Sequence, residues 1–259
     1  MLIFDVVNYL DERFPQTLAS DFDCGKIGLT IGSSNLELNN VLLTLDLNLE
    51  VVQEAIKIGA NLIISHHSFI FEPFTKVLFD NEKGKVLGLM FKHQISLYSM
   101  HTNLDVGING VNDVLANLLG LKNIIGNVMK DSFLRYGDIK KTTLNNFATH
   151  VKTCFDLTGV KVAGPLSKEI NKVGIIGGGG AQIEELDNAL ALGCDCFISG
   201  EVKLHVAQYA LYNQIAIIEV NHGVEKLVFN CLRDELESRL GLKKRVYISK
   251  INTDPLIFL

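Results

Sequence analysis

Apolar residues along this chain alternate between two rhythms, one of helical period and one of short continuous runs. Ile3, Val6, Val7 and Leu10 recur at helical spacing and Pro15 follows, which predicts a helix over Leu2–Arg13. Val41–Asp46 is an apolar run of strand length that ends in a carboxylate. Leu49–Ile58 reads as a helix closed by Gly59, and Asn61–Ser65 as the next buried strand. The alternation continues through a helix near Lys85–His93, a strand at Ile95–Met100 and a helix at Gly110–Leu119. A second series starts after residue 125, with strands at Val173–Ile176, Cys196–Ser199 and Ile215–Val220. Helices at Ala181–Leu192, Leu204–Tyr212 and Val224–Leu240 separate and follow them. Strand–helix–strand repetition is the signature of α/β architecture. The expectation is two α/β lobes, 1–125 and 126–259, with largely parallel or mixed sheets flanked by helices. The C-terminal segment is free to pack back on the first lobe.

Composition narrows the function classes. The 259 residues are 47% hydrophobic and 20% charged, which suits a packed globular protein and not a disordered one. With 24 Lys+Arg against 29 Asp+Glu the net charge is −5, so an extended nucleic-acid surface, which needs surplus cations, is not expected. No apolar run approaches the roughly 18–20 residues that span a bilayer. The N-terminal residues lack the basic-then-apolar order of a signal peptide. Cys24, Cys154, Cys194, Cys196 and Cys231 show no CxxC pair and read as reduced thiols, which points to the cytoplasm.

In open α/β sheets, binding and reactive groups collect beyond the carboxyl ends of strands. Three strands run there into histidine: Ile64-Ser65-His66-His67, Ser99-Met100-His101 and Val220-Asn221-His222. Asp105 follows the second and Glu225 the third, so four of the seven histidines share one topological position with carboxylates close downstream. Imidazole and carboxylate donors without thiolates suit a borderline divalent ion: zinc, manganese, iron or cobalt. Adjacent histidines on a strand point to opposite faces, so His66 and His67 would serve two neighbouring ions, with Asp105 or Glu225 able to bridge them. The metal site is accordingly expected at strand C-termini between the lobes.

Other features carry less. Gly177–Gly180 follows a strand and opens a helix; it lacks GxGxxG phasing and a P-loop lysine, so it reads as a tight turn before a phosphate cradle. Glu201 and His205, at i and i+4, are either acid/base or supporting groups or a surface pair. Asp46 either lies near the site or caps the following helix. Arg135, Lys140 and Lys141 read as a solvated, mobile stretch, and His93 and His150 as structural.

At these residues the chain resembles a known family, the dinuclear-metal proteins named after an interacting factor of a yeast transcription adaptor, also called GTP cyclohydrolase 1 type 2. Its Asn-Val-Gly-Leu segment is similar to Lys26-Ile27-Gly28-Leu29, and its His-His-Pro motif to His66-His67-Ser68. Its His-Thr-Asn-Leu-Asp motif matches His101 to Asp105 in full. The glycine turn resembles Gly177–Gly180, the Thr-Gly-Glu/Asp…His segment resembles Ser199-Gly200-Glu201…His205, and Gly-His-x-x-Ser-Glu resembles Asn221-His222-Gly223-Val224-Glu225. The resemblance implies two divalent ions on His66, His67, Asp105, His222 and Glu225, with His101 close by, in a ring-shaped homohexamer. Ser68 replaces the proline, and the His222–Glu225 spacing is one residue shorter than the family's.

Together these readings lead to a metal-dependent hydrolase. The resemblance supplies the substrate, GTP, and the reaction, GTP cyclohydrolase I chemistry giving 7,8-dihydroneopterin triphosphate and formate. His101, Glu201 and His205 are the proton-transfer candidates. The alternatives are a two-metal phosphoesterase, and a non-catalytic metal-binding oligomer with a regulatory or chaperone role.

Overall fold

A computed structural model describes residues 1–126 and 133–256. The chain divides into two compact units, one formed by Met1–Gly107 with Phe229–Pro255 and one by Ile108–Val228.

The first unit carries a five-stranded sheet of β1 (Gly28–Ile31), β2 (Asn40–Thr44), β3 (Ala60–Ser65), β4 (Ser96–Ser99) and β11 (Val246–Ile248), in the order β1-β4-β3-β2-β11. β11, β2, β3 and β4 are mutually parallel, and β1 runs antiparallel on the β4 edge. Parallel strands are covered on both faces, which is why β2 and β3 are near-continuous apolar runs. The helix Leu49–Ile58 joins them. The Asn48 side chain accepts the Val51 N–H at 2.9 Å at its start, and Gly59, at φ 68°, ends it in the left-handed conformation. Its Val51, Val52 and Ala55 pack with Leu42, Ile63 and Leu97 of the sheet and with Val86 and Met90 of the helix Glu82–Lys92. Each such fully buried aliphatic side chain contributes about 1.5–3 kcal/mol.

The N-terminal helix Ile3–Arg13 buries the four apolar residues that its spacing selects. Its polar side meets the C-terminal helix Val228–Arg239: Glu235 accepts from the Tyr9 hydroxyl at 2.6 Å and from Arg13 Nε at 2.8 Å. These bonds and the β11–β2 pairing hold the C-terminal segment in the first unit.

The second unit has six strands, β5 (Lys122–Gly126), β6 (Arg135–Thr143), β7 (Lys161–Ala163), β8 (Glu169–Ile176), β9 (Cys196–Ser199) and β10 (Ala216–Glu219). Their order is β5-β6-β8-β9-β10-β7, with β8, β9 and β10 parallel and the outer pairings antiparallel. The stretch expected to be solvated around Arg135 is instead strand β6. Arg135 is buried and its guanidinium is paired with Asp113, while Lys141 stays exposed in a pair with Glu169. The helix expected over Val224–Leu240 is two elements, a 3-10 helix at His222–Leu227 followed by the α-helix Val228–Arg239.

Candidate metal centre

In the first unit, His66 and His67 follow the C-terminal end of β3. Strand pairing outlasts the strand by two residues, because His66 N–H reaches Thr44 O at 3.1 Å and His67 N–H reaches Leu45 O at 2.9 Å. The Ser65 hydroxyl donates to the His67 carbonyl at 2.8 Å, so the turn is pinned from Ser65 although Ser68 stands where the family has proline. His66 is buried and His67 is partly open, with ring centroids 5.0 Å apart and planes inclined by 41°. His101 completes a triangle of imidazoles, 5.5 Å from His66 and 5.8 Å from His67. It is the N-cap of the short helix Thr102–Val106, whose Asp105 brings Oδ1 to 3.4 Å from His66 Nε2.

Two of these imidazoles are braced from behind. Asp46 Oδ1 lies 2.6 Å from His67 Nδ1, and its other oxygen accepts from the Thr253 hydroxyl at 2.6 Å. Asp46 therefore serves the site, and Asn48 caps the helix. Asp23 Oδ1 lies 2.7 Å from His101 Nδ1, and Asp23 Oδ2 takes the Thr102 N–H at 3.0 Å and a short bond from the Thr102 hydroxyl. Burial of Asp23 pushes its carboxyl up, but the bonds from His101 and Thr102 outweigh this and hold it below its ordinary value. In each pair Nδ1 is turned to the carboxylate, so Nε2 is the ring nitrogen free of that contact.

The second unit repeats the plan. Glu201 Oε1 lies 2.7 Å from His222 Nδ1, while His222 Nε2 stands 3.2 Å from Glu225 Oε2. The one-residue-shorter spacing is met by the 3-10 helix, in which residues three apart eclipse one another. The glycine turn serves this pair: at Gly178, φ +56°, a Cβ would collide with Glu225 Oε1 and stand 3.1 Å from His222 Nε2. Asn112 Oδ1 anchors the turn by accepting the Gly177 N–H at 2.7 Å, and the Gly178 carbonyl accepts the Glu201 N–H at 2.9 Å. Glu201 precedes the helix Leu204–Tyr212, so the i, i+4 relation brings it no contact with His205, which is exposed on that helix. His150 Nε2 lies 3.0 Å from the Leu119 carbonyl.

The chain matches the model of Duf34/NIF3 (NGG1p interacting factor 3) over residues 1–255. It belongs to the NIF3 family. A Lactococcus lactis protein named GTP cyclohydrolase 1 type 2 homolog is 31% identical over 98% of each chain. Among solved structures, a hypothetical protein of Staphylococcus aureus is 32% identical with a TM-score of 0.90, covering 100% of this chain and 99% of its own. A Bacillus cereus protein related to NIF3 is 27% identical with a TM-score of 0.91 and the same coverage. In this NIF3-family chain, the first unit offers His66 and His67, and the second unit offers Glu225, as donors of the kind that hold a metal ion. Nitrogen and oxygen donors, with Nδ1 of His67 and His222 each set against a carboxylate, fit a borderline divalent ion. Pattern reading missed Asp23 and Asn112, which carry no periodic or motif signal of their own, and gave no role to Thr102, which lies inside the His101–Asp105 motif.

Proposed function

We propose that this NIF3-family protein is a divalent-metal-dependent hydrolase acting on GTP, with two ions held by His66, His67 and Asp105 of the first unit and His222 and Glu225 of the second. The observation that carries this reading is the repeated clamp. Asp46 on His67 and Glu201 on His222 fix each ring through Nδ1 and leave Nε2 as the ligand atom. When bound, such ions lower the pKa of coordinated water to about 7 and polarise the bond under attack.

The chain's own residues supply the rest. His101, oriented by Asp23, takes and returns a proton at Nε2, which is the arrangement of a base held by a third group. Glu201 keeps its place as the support of His222, and His205 is outside the chemistry. GTP as substrate follows from the names of the relatives, as does the cyclohydrolase I outcome, 7,8-dihydroneopterin triphosphate and formate. A homohexameric ring belongs to the same reading. All five cysteines are free thiols, and no helix among the described residues is long and apolar enough to cross a membrane; a reducing, cytoplasmic setting is consistent with both.

The test is incubation of metal-reconstituted protein with GTP, following formate and pterin fluorescence, with Asp105→Ala as control. Metal-dependent product that the variant lacks supports the reading. No product with manganese, zinc, iron or cobalt removes GTP as the substrate.

A further inference from the structure

The three imidazoles of the first unit have a rim whose composition the metal chemistry does not require. Phe22 is 52% exposed and Phe71 is 41% exposed, whereas Phe14 and Tyr98 of the same unit are buried. Both stand edge-on to His101, with centroids 5.9 and 6.1 Å away and planes at 72° and 88° to it. Neither is a loose surface residue. Phe22 lies in the 3-10 helix Asp21–Asp23, beside the carboxylate that orients His101, and Phe71 lies four residues beyond His67. The ammonium of Lys26 sits 3.9 Å from the centroid of Phe71, within cation–π range. Its carboxylate neighbour is Glu72, at 3.9 Å and 79% exposed, a pair weak enough for a phosphate to displace.

Two solvent-facing aromatic rings and one cation around a braced imidazole form a recognition element for a planar ring that carries anionic groups. Every nucleobase has a π-face that stacks on such rings, and an ammonium beside them meets the phosphates. We propose that Phe22 and Phe71 are a stacking clamp for the base of a phosphorylated purine and that Lys26 contacts its phosphate chain. This rests on the hydrolase reading for the place of the site but adds the subsite that selects the substrate. It also gives an acidic chain a local cation for a triphosphate.

The chain contains no tryptophan, so Phe71→Trp supplies a single indole at the rim. In zinc-loaded protein its emission should be quenched saturably by GTP and to a smaller final extent by inorganic triphosphate, which meets Lys26 but carries no base. Phe22→Ala and Phe71→Ala should each raise the Kd for GTP about tenfold or more while leaving that for inorganic triphosphate unaltered. Phe71→Tyr should restore it, and Lys26→Gln should weaken both ligands, at zinc contents equal to the parent's. Equal responses to GTP and inorganic triphosphate, or an unchanged Kd for GTP in both alanine variants, would overturn the clamp. So would a change of oligomeric mass at constant Kd, which would assign the rings to contact between copies. Base-dependent binding without formate release would remove the hydrolase reading and leave the clamp standing. Formate release at an unchanged KM in both alanine variants would do the reverse.

Discussion

Asn221 is the residue at which the fold departs most from what its side chain favours. Its backbone stands at φ 86° and ψ 157°, a region populated essentially by glycine, and the resembling motif has glycine at this place. An L-residue held there costs about 1–3 kcal/mol. The side chain returns little, since its Oδ1 is buried and has no hydrogen-bond partner among the described residues. The backbone is what the fold uses: Asn221 N–H reaches Gly200 O at 3.1 Å, which sets where His222 begins its 3-10 helix. Asn221→Gly should therefore relieve the strain and remove a buried polar atom, against about 0.5–1 kcal/mol for the added freedom of the unfolded chain. The net gain is about 1–2 kcal/mol, or a melting temperature higher by about 2–8 °C for a chain of this size. Asn221→Ala is the control. It discards the same polar atom but keeps the strain, and asparagine tolerates positive φ better than alanine, so this variant should melt below the parent. Both belong in metal-free protein, because a bound ion adds its own binding energy to the transition. A glycine variant no more stable than the parent, or an alanine variant as stable as the glycine one, would refute the strain argument.

Asp46→Ala and Glu201→Ala should each lower zinc affinity about 10–100-fold in a chelator competition, since each removes the brace on one histidine, whereas His205→Ala should leave it unchanged. Gly178→Ala should disturb the His222–Glu225 pair, because the new methyl collides with Glu225 Oε1 on a left-handed backbone; zinc content by mass spectrometry should fall more than for Gly179→Ala, where a Cβ meets nothing within 4 Å. The depressed carboxyl of Asp23 has a signed consequence for stability. The unfolded chain binds this proton more readily, so the contribution is present above about pH 4 and is lost as pH falls through the lower folded value. Asp23→Asn should flatten that acid limb, read as denaturant midpoints between pH 3 and 6, and an unchanged slope would count against the ionised assignment.

Much of the fold was legible because parallel strands and their crossover helices write long, strongly periodic signals. The run Leu49–Ile58 with Gly59 behind it is a helix with those bounds, and Cys196–Ser199 and Leu204–Tyr212 coincide with their elements. The antiparallel strands β1 and β6 were not legible. β1 is only four residues long, with its middle two half-buried, and β6 mixes Arg135, Asp138, Lys140 and Lys141 in a pattern that reads as solvent. What makes β6 a strand is long-range: its ladder with β8 and the Asp113 carboxylate that neutralises a buried guanidinium. Likewise the 3-10 geometry at His222–Leu227 is indistinguishable in sequence from the first turn of the α-helix that follows.

The braces on the histidines follow a rule that the sequence did contain. His67 and Asp46 are 21 residues apart, and so are His222 and Glu201. In each case the carboxylate follows the end of one parallel strand, β2 or β9, and the histidine follows the end of its parallel neighbour, β3 or β10. Neighbouring strands lie about 4.8 Å apart, so residues just past their ends stand side by side, and one strand–helix–strand step sets the separation. A strand-end acid one crossover upstream of a strand-end histidine is thus a readable sign of a braced ligand. His101 breaks the rule for a topological reason. The other neighbour of β4 is β1, which runs antiparallel and presents its opposite end there, so the acid must come from the segment before β1. Asp23 does so across 78 residues, from the 3-10 helix just upstream of β1. The imidazole assigned to proton transfer is therefore the one braced outside the repeated crossover plan, while His67 and His222, assigned to metal, share that plan.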